Sequence, residues 1–76
     1  MELKDFIQKF AAQFDETDAS EFTPTTEFKK LAEWSSILAL SVIAMADEEF
    51  NAQVKGDDIR NSTTIEDLYK IVKSRI

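Results

Sequence analysis

The chain predicts an all-α domain of four helices, with a long connection between the first and second and a short third helix. Three observations predict it. A single glycine and a single proline in 76 residues argue against a turn-rich β fold. Apolar residues recur at helical spacing in two stretches near the termini. Between them lies a segment, residues 37–50, that is apolar nearly all round until it ends in acids.

The elements follow in order. Leu3, Phe6, Ile7, Phe10, Ala11 and Phe14 fall at i, i+3, i+4, i+7, i+8 and i+11, which places a first amphipathic helix over about residues 2–14. Asp15 to Trp34 is less regular. Thr23-Pro24 can start a helical turn there, with Thr23 as cap and Pro24 at the first position. Phe22, Phe28, Leu31 and Trp34 are spaced through it as anchors to the core. The second helix follows. A short third helix fits Asp57 to Asn61, with Asp57 as N-cap and Ile59 as anchor. The last helix carries Ile65, Leu68, Tyr69 and Val72 on one face. It opens with a capping box, Thr63-x-x-Glu66, and closes with Lys70, Lys73 and Arg75 at the negative end of its dipole. No internal repeat or low-complexity tract interrupts the chain, so residues 1–76 are read as one domain.

Composition narrows the function. A chain this short buries only about 60% of its unfolded surface, so its core is small. Without Cys or His it has no disulfide, no thiol nucleophile, no His general base and no zinc site of the usual ligands. That closes most routes to an autonomous enzyme. A net charge of −6 is the wrong sign for nucleic acid and suits basic protein surfaces. The N-terminal MELKDF has no apolar signal region, and residues 37–46 are too short to span a bilayer. A cytoplasmic monomer is expected. Asp15, Asp18 and Glu21 raise the question of calcium, but the sixth and twelfth residues counted from Asp15 are Ser20 and Thr26, where an EF-hand loop needs Gly and Glu. No metal is expected.

The hydroxyls at the start of the second helix remain. Ser41, inside that helix, can bond a carbonyl one turn back. Ser35 and Ser36 stand at its N-terminus, where one hydroxyl can cap free N–H groups. Capping does not need two. The same N–H groups and the helix dipole favour an anionic substituent, so a serine bearing a phosphodiester would also sit well there. Both readings stand on physics alone.

Four segments in order resemble the acyl carrier protein family over nearly the whole chain. Thr26-Glu27-Phe28-Lys29-Lys30-Leu31 is similar to the family's Thr-x-Phe-x-x-Leu segment. Trp34-Ser35-Ser36-Ile37 is similar to its Trp-Asp-Ser-Leu, and Asp47-Glu48-Glu49-Phe50 to the Glu-Glu-Glu-Phe that ends its second helix. Thr64-Ile65-Glu66-Asp67-Leu68 is similar to its Thr-Val-x-Asp-Leu.

The resemblance implies a four-helix acyl-carrier-like bundle, and a carrier rather than an enzyme. It implies covalent 4′-phosphopantetheine on Ser36, transferred from coenzyme A by a phosphopantetheinyl transferase, with cargo held as a thioester on the arm's thiol. It also implies acyl-loading and acyl-processing partners with basic docking patches, met chiefly by the second helix. Asp47, Glu48 and Glu49 are the candidate acids for that face, and Ile37, Leu38 and Ala44 the candidate apolar contacts. The implied setting is lipid or fatty acid biosynthesis, with the protein a phosphoprotein. Departures shift that setting. Ser35 replaces the family's Asp, Ile37 its Leu, and Leu38 and Ser41 stand where polar or acidic residues are common. They favour a specialised pathway. An unmodified carrier fold serving as a protein-interaction module stays open beside this reading, and so, less well matched, does an unrelated helical adaptor. The apolar faces of the second helix pose a last question: whether a cleft beside Leu40, Val42, Ile43 and Met45 shelters cargo, or whether these residues only fill the core.

Overall fold

The computed structural model describes residues 2–76. It contains α1 (Leu3–Ala11), α2 (Ser36–Phe50), α3 (Gly56–Arg60) and α4 (Ile65–Lys73). Two 3₁₀ turns, Ala19–Glu21 and Phe28–Lys30, punctuate the connection between α1 and α2. No strand occurs among the described residues. α1 packs against both α2 and α4, and α3 packs against α4. The expected all-α bundle of four helices, with its long first connection and short third helix, is what forms.

α1 ends earlier than its periodicity predicts. After Ala11 the chain tightens: Gln13 N–H bonds the Phe10 carbonyl (3.1 Å) and Phe14 N–H bonds that of Ala11 (3.0 Å). These i→i+3 bonds form the tighter turn common at helix ends, and they still deliver Phe14 to the core, 7% exposed. The anchors of the long connection behave as expected. Phe22 and Phe28 are buried, and Leu31 and Trp34 pack half-buried against the core. Thr23-Pro24 does not begin a helix. Pro24 and Thr25 form one turn, closed by Thr26 N–H on the Thr23 carbonyl (3.1 Å).

Three expected helix ends shift. α4 is capped by Thr64 and Asp67 rather than Thr63 and Glu66. Thr64 Oγ1 accepts from Asp67 N–H (3.2 Å), and Asp67 Oδ2 accepts from both Thr63 and Thr64 N–H (3.0 Å each). Thr64 is the extended residue before the helix, and the shorter Asp side chain lies within reach of both donors. α3 begins one residue before Asp57. Its cap is Lys55, whose N–H is received by Asp58 Oδ2 (2.8 Å), while Asp57 pairs with Arg60. Ile59 anchors it as expected, 5% exposed. Arg75 lies beyond α4 instead of stabilising its end. It grips Asp58 with both guanidinium branches and donates to the Gln53 carbonyl (2.8 Å), tying the C-terminal tail to α3.

Candidate functional site

The entry to α2 is where the two hydroxyls divide. Ser35 is extended (φ −156°, ψ 173°), and its Oγ accepts from Leu38 N–H at 3.3 Å, the N-cap geometry. Ser36 is the first helical residue and is exposed. Among the described residues its hydroxyl has no hydrogen-bond partner, and neither do the N–H groups of Ser36 and Ile37. The contrast with α4 is direct. There the first three N–H groups are all received: Ile65 by the Thr26 carbonyl (3.1 Å), Glu66 by that of Pro24 (3.0 Å), and Asp67 by Thr64. α4 opens into the long connection, whereas α2 opens outward with donors to spare.

The segment leading into Ser36 is held from two sides. The Trp34 ring meets Phe28 edge-on at 5.1 Å and stacks on Phe14 at 6.2 Å. Glu33 takes Asp15 N–H (2.8 Å), Glu16 N–H (3.0 Å) and the Thr17 hydroxyl (2.8 Å), fastening the start of the long connection to the residues just before α2. Desolvation pushes the Glu33 carboxyl up, and the bonds from Asp15, Thr17 and Glu16 together outweigh it, so it titrates below the ordinary glutamate range. Sequence reading missed this residue. One acid among fifteen carries no signal of its partners until the connection is folded.

Ser36 also lines a cleft of about 410 Å³ between α2 and α3, with Trp34, Ala39, Ile43 and Ile59 as apolar wall and Lys29 and Arg60 on its margin. Lys29 Nζ donates to the Arg60 carbonyl (3.0 Å), joining the second 3₁₀ turn to α3 across the cleft. A second hollow of about 310 Å³ shares Leu40 and Ile43 and runs on to Asp47 and Val54. The two make a trough along α2 that starts at Ser36. A larger, mainly apolar hollow of about 720 Å³ lies elsewhere, between α1 and the long connection, lined by Leu3, Ile7 and Phe22.

The candidate docking residues separate once the helix is in place. Ile37 (73% exposed), Ala44, Asp47 and Glu48 lie on the surface. Leu38 does not. At 8% exposed it shares the core face with Val42, Met45 and Ala46, so the contact expected of it with a partner is made with the core instead. Glu49 pairs with Lys9 of α1 at 3.2 Å, leaving Asp47 and Glu48 as the acids of this run with no ion pair among the described residues. Leu40, which the sequence suggests only as a cleft residue, is 66% exposed. Residues 37–46 are apolar on more than one face, so spacing alone did not separate it from the buried stripe of Leu38, Val42 and Met45. Of the acids considered for calcium, Asp18 serves the backbone: its Oδ1 receives Ser20 N–H at 2.9 Å and caps the first 3₁₀ turn.

What this arrangement offers is one free hydroxyl at an anion-favouring helix start, beside an apolar cleft. No curated protein and no solved structure matches the chain. A family model described as phosphopantetheine attachment site matches residues 5–72, from α1 into α4. Members of that family carry covalently attached 4′-phosphopantetheine, interact with phosphopantetheinyl transferases and acyl enzymes, and are carriers rather than enzymes. Because the match spans most of the chain and the helical bundle agrees with it, the protein belongs to the phosphopantetheine-binding carrier family.

Proposed function

We propose that Ser36 is the residue that takes the 4′-phosphopantetheine, and that residues 1–76 work as a single domain presenting an acyl or related group to other enzymes. The observation that supports this is the division of labour between adjacent hydroxyls. Ser35 caps α2 through Leu38 N–H, so Ser36 is exposed and free of structural duty. The residues fit the group: the unpaired N–H groups of Ser36 and Ile37 suit a phosphodiester at a helix start. Lys29 and Arg60 add positive charge on the margin of the same cleft. The arm supplies a thiol for thioester linkage, which the chain cannot, having no Cys. Replacing the family's Asp by Ser35 removes a charge from the modification site and leaves the cap in place. That favours a specialised biosynthetic pathway, related to fatty acid synthesis in its chemistry, in the cytoplasm. Asp47 and Glu48 are the acids offered to basic partner surfaces, with Glu49 shared with Lys9.

The test is intact mass after incubation with coenzyme A, magnesium and a broad-specificity phosphopantetheinyl transferase. One phosphopantetheine per chain is expected. Ser36→Ala abolishes the gain, whereas Ser35→Ala keeps it and loses about 1 kcal/mol of capping stability. A gain that survives in Ser36→Ala overturns the assignment.

A further inference from the structure

α1 carries more apolar surface than the core takes up. Phe6 and Phe10 are fully buried, whereas Leu3, Ile7 and Ala11 follow beside them at i, i+4 and i+8 and stay half-buried. The long connection passes over this second stripe without closing on it. Phe22 and Pro24 form the opposite wall, and a hollow of about 720 Å³ stays open between. It is larger than either hollow of the trough beside α2 and lies in the range of small-molecule sites, about 300–1,000 Å³. It runs along α1 from Leu3 to Ala12, about 14 Å at 1.5 Å per residue.

Charge singles out the occupant. Fifteen of the 76 residues are acids, yet none of them lines this hollow. The one charged residue on its wall is Lys4, which has no ion pair among the described residues, and Gln8 adds an amide one turn along. α1 has no side-chain cap at this end, so its first N–H groups and its dipole add to the lysine. Asp5, the acid of that turn, does not line the hollow. A second copy or an anionic bilayer is a poor filler, because a chain at −6 repels both. We infer that the hollow between α1 and the long connection is a non-covalent binding site for a free single-chain aliphatic carboxylate. The chain lies on Leu3, Ile7, Ala11 and Phe22, and the carboxylate meets Lys4. The site shares no wall with Ser36 or with the trough beside α2, so it takes its ligand whether or not an arm is attached.

The test is titration of the unmodified chain with hexanoate, octanoate and decanoate, each below its micelle concentration, followed by amide shifts, with 1-octanol as the uncharged control. Shifts should fall in residues 3–12 and in Ala19 and Phe22, and leave residues 38–46 in place. Each added methylene should tighten binding by about twofold, and by up to about fourfold where it is fully buried. Lys4 is exposed, so Lys4→Glu should keep the unfolding midpoint near wild type. That variant should weaken octanoate by about threefold or more and leave octanol level, and Lys4→Arg should bind octanoate as the wild type does. A Lys4→Glu variant that treats octanoate and octanol alike overturns the inference, since the hollow would then be an apolar patch with no preference for an anion. So does an absence of shifts below the micelle concentration, or shifts confined to the trough beside α2. Ligand-free shifts in residues 3–12 that grow with protein concentration overturn it as well, by making the hollow a face between two copies. None of these outcomes bears on attachment at Ser36, because the chain tested carries no arm.

Discussion

Asn51 ends α2 in the left-handed region (φ 55°, ψ 37°), alone among the described non-glycine residues in taking a positive φ. Its N–H returns to the Asp47 carbonyl (3.0 Å), and that of Ala52 reaches back to Ala46 (3.1 Å), a termination that turns the chain toward α3 and buries Ala52 completely. Asn tolerates this conformation because its short polar side chain bonds locally, whereas a Cβ without that option costs about 1 kcal/mol or more there. Asn51→Ala should therefore lower stability by about 1 kcal/mol in urea unfolding, and Asn51→Gly should leave it level or raise it. No loss in the alanine variant would show that the turn is held from elsewhere. Residues of this kind mark the limit of sequence reading. Ser35 and Ser36 were visible as a pair with two possible duties, and only the backbone decided that Ser35 caps. Leu38 and Leu40 are the same residue type two positions apart. Which one turned inward depended on the rotation of α2 against α1, and α2's apolar run gave no clear face to set it.

At the scale of elements, α1 and α4 were legible because their apolar stripes are narrow and repeat for several turns. Their ends were less so. The first N–H groups of α4 are received by carbonyls of Pro24 and Thr26, some forty residues earlier in sequence, a pairing no local pattern predicts. Carboxylates perform much of this stitching. Asp18, held by the N–H and hydroxyl of Ser20, titrates low, and so does Glu33, whose bonds from Asp15, Thr17 and Glu16 outweigh its desolvation. Asp58 is lowered chiefly by Arg75, and Asp67 chiefly by the Thr64 and Thr63 N–H groups. A carboxyl whose folded pKa lies below its unfolded value contributes stability that is present above the unfolded pKa and lost as pH falls through the folded one. Stability should therefore hold from neutral pH down to about 4–5 and decline below the ordinary carboxylate range of about 4. Relief of the self-repulsion of a −6 chain favours the folded state on the way down, but it is spent near the isoelectric point of about 4.5. Below that, both effects destabilise. Asp67→Asn keeps one acceptor for the cap and removes the titration. It should flatten the acid limb of urea midpoints measured between pH 7 and 2.5, and an unchanged limb would assign the loss to the other carboxylates.

Across the whole molecule, all six phenylalanines, Trp34 and Tyr69 form one connected set of ring contacts, from Phe50 and Tyr69 through Phe6 and Phe10 to Phe14, Phe22, Phe28 and Trp34. The aromatic anchors were legible one by one from spacing. Their convergence was not, because it needs the long connection folded back over α1 and α4. This set decides where cargo can go. Phe6, Phe10, Phe28, Ile65 and Leu68 are at most 1% exposed, so opening the middle of the bundle would break contacts on every side. Val42 and Met45 belong to that core and offer cargo no room, against the wider cleft that α2's apolar faces suggested. The trough between α2 and α3 is different. It begins at Ser36 as a cleft of about 410 Å³, continues as a hollow of about 310 Å³, and is walled by Leu40 and Ile43, which are not fully buried. Shelter there returns about 0.8 kcal/mol for each methylene removed from water, and only while the chain stays within the trough. Thermal unfolding should therefore show a rising midpoint as carriers are loaded with short and then medium acyl chains, followed by a plateau once added methylenes project past Asp47. Amide shifts should fall in residues 38–46 and in Ile59, and leave Phe6 and Phe10 in place. A midpoint indifferent to loading would mean that the cargo stays in solvent, and shifts at Phe6 and Phe10 would mean that the core opens after all.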